Sequence, residues 1–221
     1  MPPPAAEAPL AVPLARALTP RGYAHVVAEL IKYVLHARGQ LPAPYAVLKR
    51  SAELDAPTKK TLAVIDGLCA ALTPALLANS LSVHLVLGNT PTSAHEVYTV
   101  QAHARDDDAP STTEQEHQTA RQALRALLNH ENALAEAAIE AGGPPQPPSL
   151  PPTALHVLVA THATAHATAP ADFLPKRGYR LPSAPRTRVL NVVLGDAAPT
   201  PSNSAAMFFL YKEKVPSVVV S

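Results

Sequence analysis

Apolar positions along the chain fall into helical stripes and short alternating runs, divided by proline-rich stretches. Val26, Val27, Leu30, Ile31, Val34 and Leu35 recur at helical spacing and predict a helix over about 21–39. Lys32 and Arg38 lie off this stripe, and Gly39 followed by Pro42 and Pro44 stops it. Residues 41–49 read as an extended or turn segment. A second stripe of Leu62, Ile65, Leu68, Cys69, Leu72 and Leu76 predicts a helix over about 57–77, kinked or ended by Pro74. Residues 82–87 and 96–101 are rich in β-formers and read as successive strands of a meander. Ser111-Thr-Thr-Glu114 fits a capping box that opens the longest helix, about 112–141, and Gly142-Gly143 with the prolines beyond ends it. Its apolar arc is Ala123, Leu124, Leu127, Leu128, Leu134 and Ala138.

The last third alternates as strands do. Residues 154–161, 187–194, 206–211 and 215–220 are strand candidates, and 173–182 reads as an irregular, partly basic connector. Prolines at 2, 3, 4, 9, 13 and 20 predict a disordered arm over 1–20, leaving one domain over 21–221 with loops at 102–113 and 141–152. Helices, then a hairpin, a long helix and more strands predict an α+β fold, with three main helices on one face of a mainly antiparallel sheet.

Composition narrows the function. Apolar residues make up 47% of the 221, enough for a substantial core, but aromatics are only 4%, so Leu, Val and Ala must fill it. A net charge of +1 gives no concentrated basic field for nucleic acid or a membrane surface. The lone Cys69, the absence of a secretory apolar run and the absence of a membrane-length segment point to the nucleus or cytoplasm.

Chemistry-bearing patterns are sparse. The eight glycines form no dinucleotide or P-loop motif. His95-Glu96 and His130-Glu131 each begin a zincin-like pair, but neither has a second histidine four residues after the first. Cys69 lies on an apolar helix face and reads as a structural thiol. His156, His162 and His166, with the acidic run Asp106-Asp107-Asp108, could form a metal-dependent hydrolase site, set against ordinary surface or rim histidines and a solvated loop. On these grounds the chain is expected to be no enzyme and to need no cofactor or metal.

Three segments are more specific. Leu30 to Arg50 (LIKYVLHARGQLPAPYAVLKR) joins a helix end to a Gln-Leu-Pro-x-Pro-Tyr-x-x-Leu-Lys tail. Val83 to Val100 reads VHLVLGNTPTSAHEVYTV, and Phe173 to Pro182 reads FLPKRGYRLP. In this order they resemble the comet-type checkpoint-silencing adaptors, which bind the closed conformer of the mitotic-arrest-deficient-two (Mad-two) protein. The resemblance spans about 21–220 and implies a HORMA-like fold with a C-terminal belt segment, here favoured as permanently docked. It also implies two partners: a closed, Mad-two-like HORMA protein and a hexameric AAA+ remodelling ATPase that supplies the energy for opening it.

Carried over residue by residue, the resemblance places the HORMA contact on Leu124 of the long helix, where the family tends to have an aromatic, and on Ala37 of the first helix, where it has a polar residue. Arg121 and Arg125 would rim an apolar spot that includes Leu128, or simply solvate a helix face. Leu127 and Leu134 read as core, whereas Leu124 and Leu128 at the arc's edge can be core or contact. The ATPase contact falls on Pro175 and Lys176, which could equally form an ordinary basic turn. A further possibility is a HORMA domain that captures peptides itself, as meiotic chromosome-axis proteins do.

Overall fold

The structure, a computed structural model, describes residues 9–14, 18–102, 112–140, 150–162, 171–182, 187–195 and 206–218. The described elements run β1 (Leu10–Val12), α1 (Pro20–Ala37), α2 (Tyr45–Arg50), α3 (Ala56–Ala71), α4 (Pro74–Ala78), β2 (Ser80–Thr90), β3 (Ser93–Ala102), α5 (Thr113–Glu140), β4 (Ala154–His162), β5 (Phe173–Lys176), β6 (Arg188–Leu194), β7 (Ala206–Tyr211) and β8 (Val215–Pro216). This is an α+β fold. Its strands form one sheet in the order β1-β6-β3-β2-β4-β7-β5, with β8 paired to β4. Pairing is antiparallel except for β1 with β6 and β3 with β6.

The helices cover one face. Alternation along the strands sends Val83, Leu85, Tyr98, Val100, Leu155, Val157, Leu190 and Val192 into the same buried cluster as the apolar stripes of α1 and α3 and as Ala120, Ala123 and Leu127 of α5. The opposite face holds a smaller cluster of Val86, Val97, Leu158, Ala160 and Phe208, with Tyr179 packed edge-on against Phe208.

Helix ends explain the boundaries. Thr19 caps α1 through its hydroxyl, which accepts from the Gly22 N–H at 3.0 Å. The helix closes as a Schellman motif: Gly39, at φ 69°, donates to the His36 carbonyl, and Gln40 donates to that of Leu35. Asp55 caps α3 by accepting from the Thr58 N–H.

Several expectations need correction. Residues 1–20 are not structureless throughout, because Leu10–Val12 pairs in parallel with Val192–Leu194. Three β-compatible residues between Pro9 and Pro13 suffice for an edge strand, where missing N–H groups are tolerated. Within 41–49, the chain turns helical at Tyr45, where Pro44 presets the entry and Asp66 accepts from Tyr45 and, at 2.8 Å, from Lys49. The second predicted helix is two: α3 ends at Ala71, and Thr73 starts α4 by accepting from the Leu76 N–H, with Pro74 in the first turn.

The capping box opening α5 lies one residue later than expected. Thr112 N–H donates to the Gln115 side chain at 2.8 Å, and Gln115 N–H donates back to the Thr112 hydroxyl. Residues 173–176 form an edge strand rather than irregular connector, anchored by the Phe173 ring against Tyr211 at 5.5 Å. The last strand covers only Val215–Pro216, and 219–220 lie outside the described residues. So do the acidic run 106–108, the loop segment 141–149, and the side chains of Leu134 and Ala138.

Candidate protein-docking surface

α5 lies beside α1 and parallel to it. Arg21 meets Glu116 at 3.3 Å near the two N-termini, the His25 and His117 rings meet edge-on at 4.4 Å, and Arg38 reaches Glu131 near the C-terminus of α1. His117, Leu124 and Glu131 are seven residues apart, close to two turns, so all three lie on the stripe of α5 that faces α1. Leu124 accordingly is half-buried and packs against the core. Leu128, rotated outward from that stripe, is 45% exposed. Arg121 is exposed and donates to Glu114 at 2.6 Å, and Arg125 is exposed further round the same shoulder.

The helix thus brings Leu124, Leu128, Arg121 and Arg125 together as an apolar spot with a basic flank. Ala37 is exposed at the last residue of α1. Its neighbour Arg38 touches Glu131, which is about 4.5 Å of rise beyond Leu128 on α5. The opposite flank of α5 adjoins β1, where the Gln122 amide donates to the Pro13 carbonyl at 2.6 Å.

Pro175 and Lys176 are both exposed on β5, at the far margin of the sheet. Six strand spacings separate β1 from β5, about 29 Å at ordinary inter-strand distances. Leu174 beside them is half exposed. Proline at 175 removes one N–H from an edge that would otherwise invite indiscriminate strand pairing.

Two buried polar arrangements escaped the sequence reading. Arg38, expected off the buried stripe, is 1% exposed. Its Nε donates to Glu96 at 2.6 Å and its Nη2 to Glu131, while Tyr98 donates to Glu96 and Tyr33 to Glu131. Burial opposes the guanidinium charge, but Tyr98, Glu96 and Glu131 together hold it protonated, above the usual arginine range. The signal was available. Glu131 falls in the phase of Glu116, Ala120, Ala123 and Leu127, and Glu96 in the alternation of Tyr98 and Val100, so each carboxylate occupies a core position and demands a buried cation.

The second is His84. It lies on the face of the sheet away from the described helices, between Ser82, 2.8 Å from Nε2, and Thr99, 3.1 Å from Nδ1, and burial pushes its pKa down to about 3. All three residues are buried, so the serine–histidine pair is a packed polar stripe without access for a substrate.

No protein-family model matches the chain. No curated protein matches it either.

The remaining candidates separate in space. His156, expected as a surface or rim residue, is buried in the middle of the sheet opposite Val86. His162 lies six residues along the same strand, about 20 Å away, too far for both to hold one ion. The His162 side chain and all of His166 lie outside the described residues. Among the described residues no three His, Cys, Asp or Glu side chains group as metal ligands. Cys69 is half-buried rather than fully so, and burial raises its thiol to about 11, which keeps it protonated at neutral pH. No described helix is long and apolar enough to cross a membrane.

Proposed function

We propose that this chain is a HORMA-like adaptor, working in nucleus and cytoplasm. It binds the closed conformer of a Mad-two-like HORMA protein and presents it to a hexameric AAA+ remodelling ATPase, thereby silencing the spindle assembly checkpoint. The reading is supported above all by one relationship. The shoulder of α5 bearing Leu124 and Leu128, in the helical layer, and the edge strand β5 bearing Pro175 and Lys176 are separate surfaces on different elements. An adaptor needs two such surfaces, so that engaging one partner leaves the other free. The three segments resembling the comet-type family supply the identity of the partners.

On this reading the chain does no chemistry and needs no cofactor. The ATPase drives the conversion. The C-terminal β7, held between β4 and β5, takes the part of a docked belt. The test is capture of a HORMA partner locked in its closed form, compared with the same partner locked open. Selective retention of the closed form is expected. Equal binding of both forms, or none, defeats the proposal.

A further inference from the structure

We propose that Tyr179 is a positioning residue for the β5 margin, latching the end of that strand to the turn between β2 and β3, an inference that rests on the reading of this margin as the ATPase contact. β5 has only four residues, and among the described strands it pairs with β7 alone. Its N-terminal end is pinned twice, by the Phe173 ring against Tyr211 and by the ion pair of Asp172 with Lys212. Its C-terminal end, which bears Pro175 and Lys176, has no comparable anchor of its own: Leu174, Pro175 and Lys176 are all exposed.

Tyr179 supplies that anchor. The chain reverses after Lys176 through Gly178, whose φ of 66° suits a residue without a Cβ. Just beyond the turn, the Tyr179 hydroxyl donates to the Pro91 carbonyl at 2.6 Å, in the tight turn between β2 and β3. Its ring meets Phe208 edge-on, with centroids 5.1 Å apart. Phe208 is the residue of β7 that lies opposite Lys176, so the chain folds back over its own pairing partner. Leu181 follows onto the same apolar cluster. Because β2 and β3 lie inside the sheet, the latch ties a short edge strand to its interior.

The hold is a modest one: a single hydrogen bond, a ring contact and a half-buried leucine. Weakening it lets the end of β5 open locally while the rest of the sheet stays paired. A partner that needs Pro175 and Lys176 in place then meets them in only a fraction of the molecules, and its apparent affinity falls by that fraction. Tyr179 thereby acts through the margin without touching the partner itself.

The experiment first follows amide exchange in the free full chain, comparing the parent with Tyr179→Phe and Tyr179→Ala. Exchange across 173–176 should quicken about threefold in Tyr179→Phe, which keeps the ring, and about tenfold in Tyr179→Ala, with 155–159 of β4 unchanged. ATPase stimulation is then titrated with each variant in the presence of the HORMA partner. The adaptor concentration for half-maximal stimulation should rise by the same factors, while the maximal rate and HORMA capture match the parent. Unchanged exchange in Tyr179→Ala overturns the latch, and so does equal quickening in β4, which marks a general loss of stability. Quickened exchange with an unaltered half-maximal concentration overturns the positioning role, provided that Pro175→Ala with Lys176→Ala lowers stimulation. If that double variant stimulates like the parent, the ATPase reading itself falls, and the exchange result still decides the latch.

Discussion

Arg38 and Glu131 form an ion pair sealed between α1 and α5, with side chains 1% and 7% exposed. Because Arg38 also holds Glu96 on β3, a single guanidinium joins the two helices to the sheet. Arg38→Ala leaves buried Glu131 without its cation and Glu96 with only Arg188, at 3.5 Å, and the expected loss is about 3–5 kcal/mol of folding stability, read by urea denaturation. Arg38→Lys should recover only part of that, since an ammonium lacks the planar fork that reaches both acids at once. A stable, cooperative Arg38→Ala protein would show that these acids take up protons or water at little cost.

Leu128 gives a cleaner test of the docking shoulder than Leu124. Leu124 packs against the core, so Leu124→Glu weakens folding and binding together. Leu128 is largely open, so Leu128→Glu should change stability by no more than about 0.5 kcal/mol. Capture of the closed HORMA partner should nevertheless fall by about thirtyfold, the effect of losing an interface centre worth about 2 kcal/mol. Calorimetric affinity beside a denaturation curve separates the two effects.

Pro175→Ala combined with Lys176→Ala should leave the thermal midpoint and HORMA capture unchanged, because both side chains are exposed on an edge strand. ATPase stimulation, measured as phosphate release in the presence of the HORMA partner, should fall. Stimulation equal to that of the parent protein would remove the role given to this margin.

His84 predicts acid sensitivity. Burial lowers its folded pKa from 6.5 to about 3, so the unfolded chain binds the proton more readily. The stability associated with neutral His84 is fully present above about pH 6.5 and declines as pH falls toward 3, by up to about 1.4 kcal/mol per pH unit. His25 and His156 are shifted in the same direction by burial and add to the slope. Denaturation midpoints between pH 7 and pH 4 should therefore drop more steeply for the parent than for His84→Gln.

Most of the fold was legible because its elements are strongly periodic. The stripe of α1, the length of α5 and the strands at 154–162, 188–194 and 206–211 follow directly from spacing. The errors share a cause. Leu10–Val12 and Phe173–Lys176 are edge strands too short and too proline-rich to show alternation, and each exists because a neighbouring strand offers it a partner. The α2 turn depends on Asp66, some twenty residues away. Local pattern contains no information of that range.

The candidate surfaces were legible only in part. Periodicity placed Leu124 and Leu128 at the edge of the apolar arc, but only the packing of α1 against α5 separates a half-buried Leu124 from an open Leu128. Arg38 was misread for a related reason. A cation off the apolar stripe is normally solvated, and the two acids that bury it come from residues 58 and 93 positions away. The place of β5 at the margin of the sheet belongs to strand order, which composition does not encode.

The place of β7 between β4 and β5 has a consequence for biosynthesis. Phe173–Lys176 emerges from the ribosome more than thirty residues before the strand it must join. Until Ala206–Tyr211 follows, that segment has no neighbour to complete its hydrogen bonds, and the margin bearing Pro175 and Lys176 cannot form. Any transcript truncated before residue 206 would therefore lack this margin, and would also strip Phe209, Tyr211, Val215 and Val218 from the core beneath the helices.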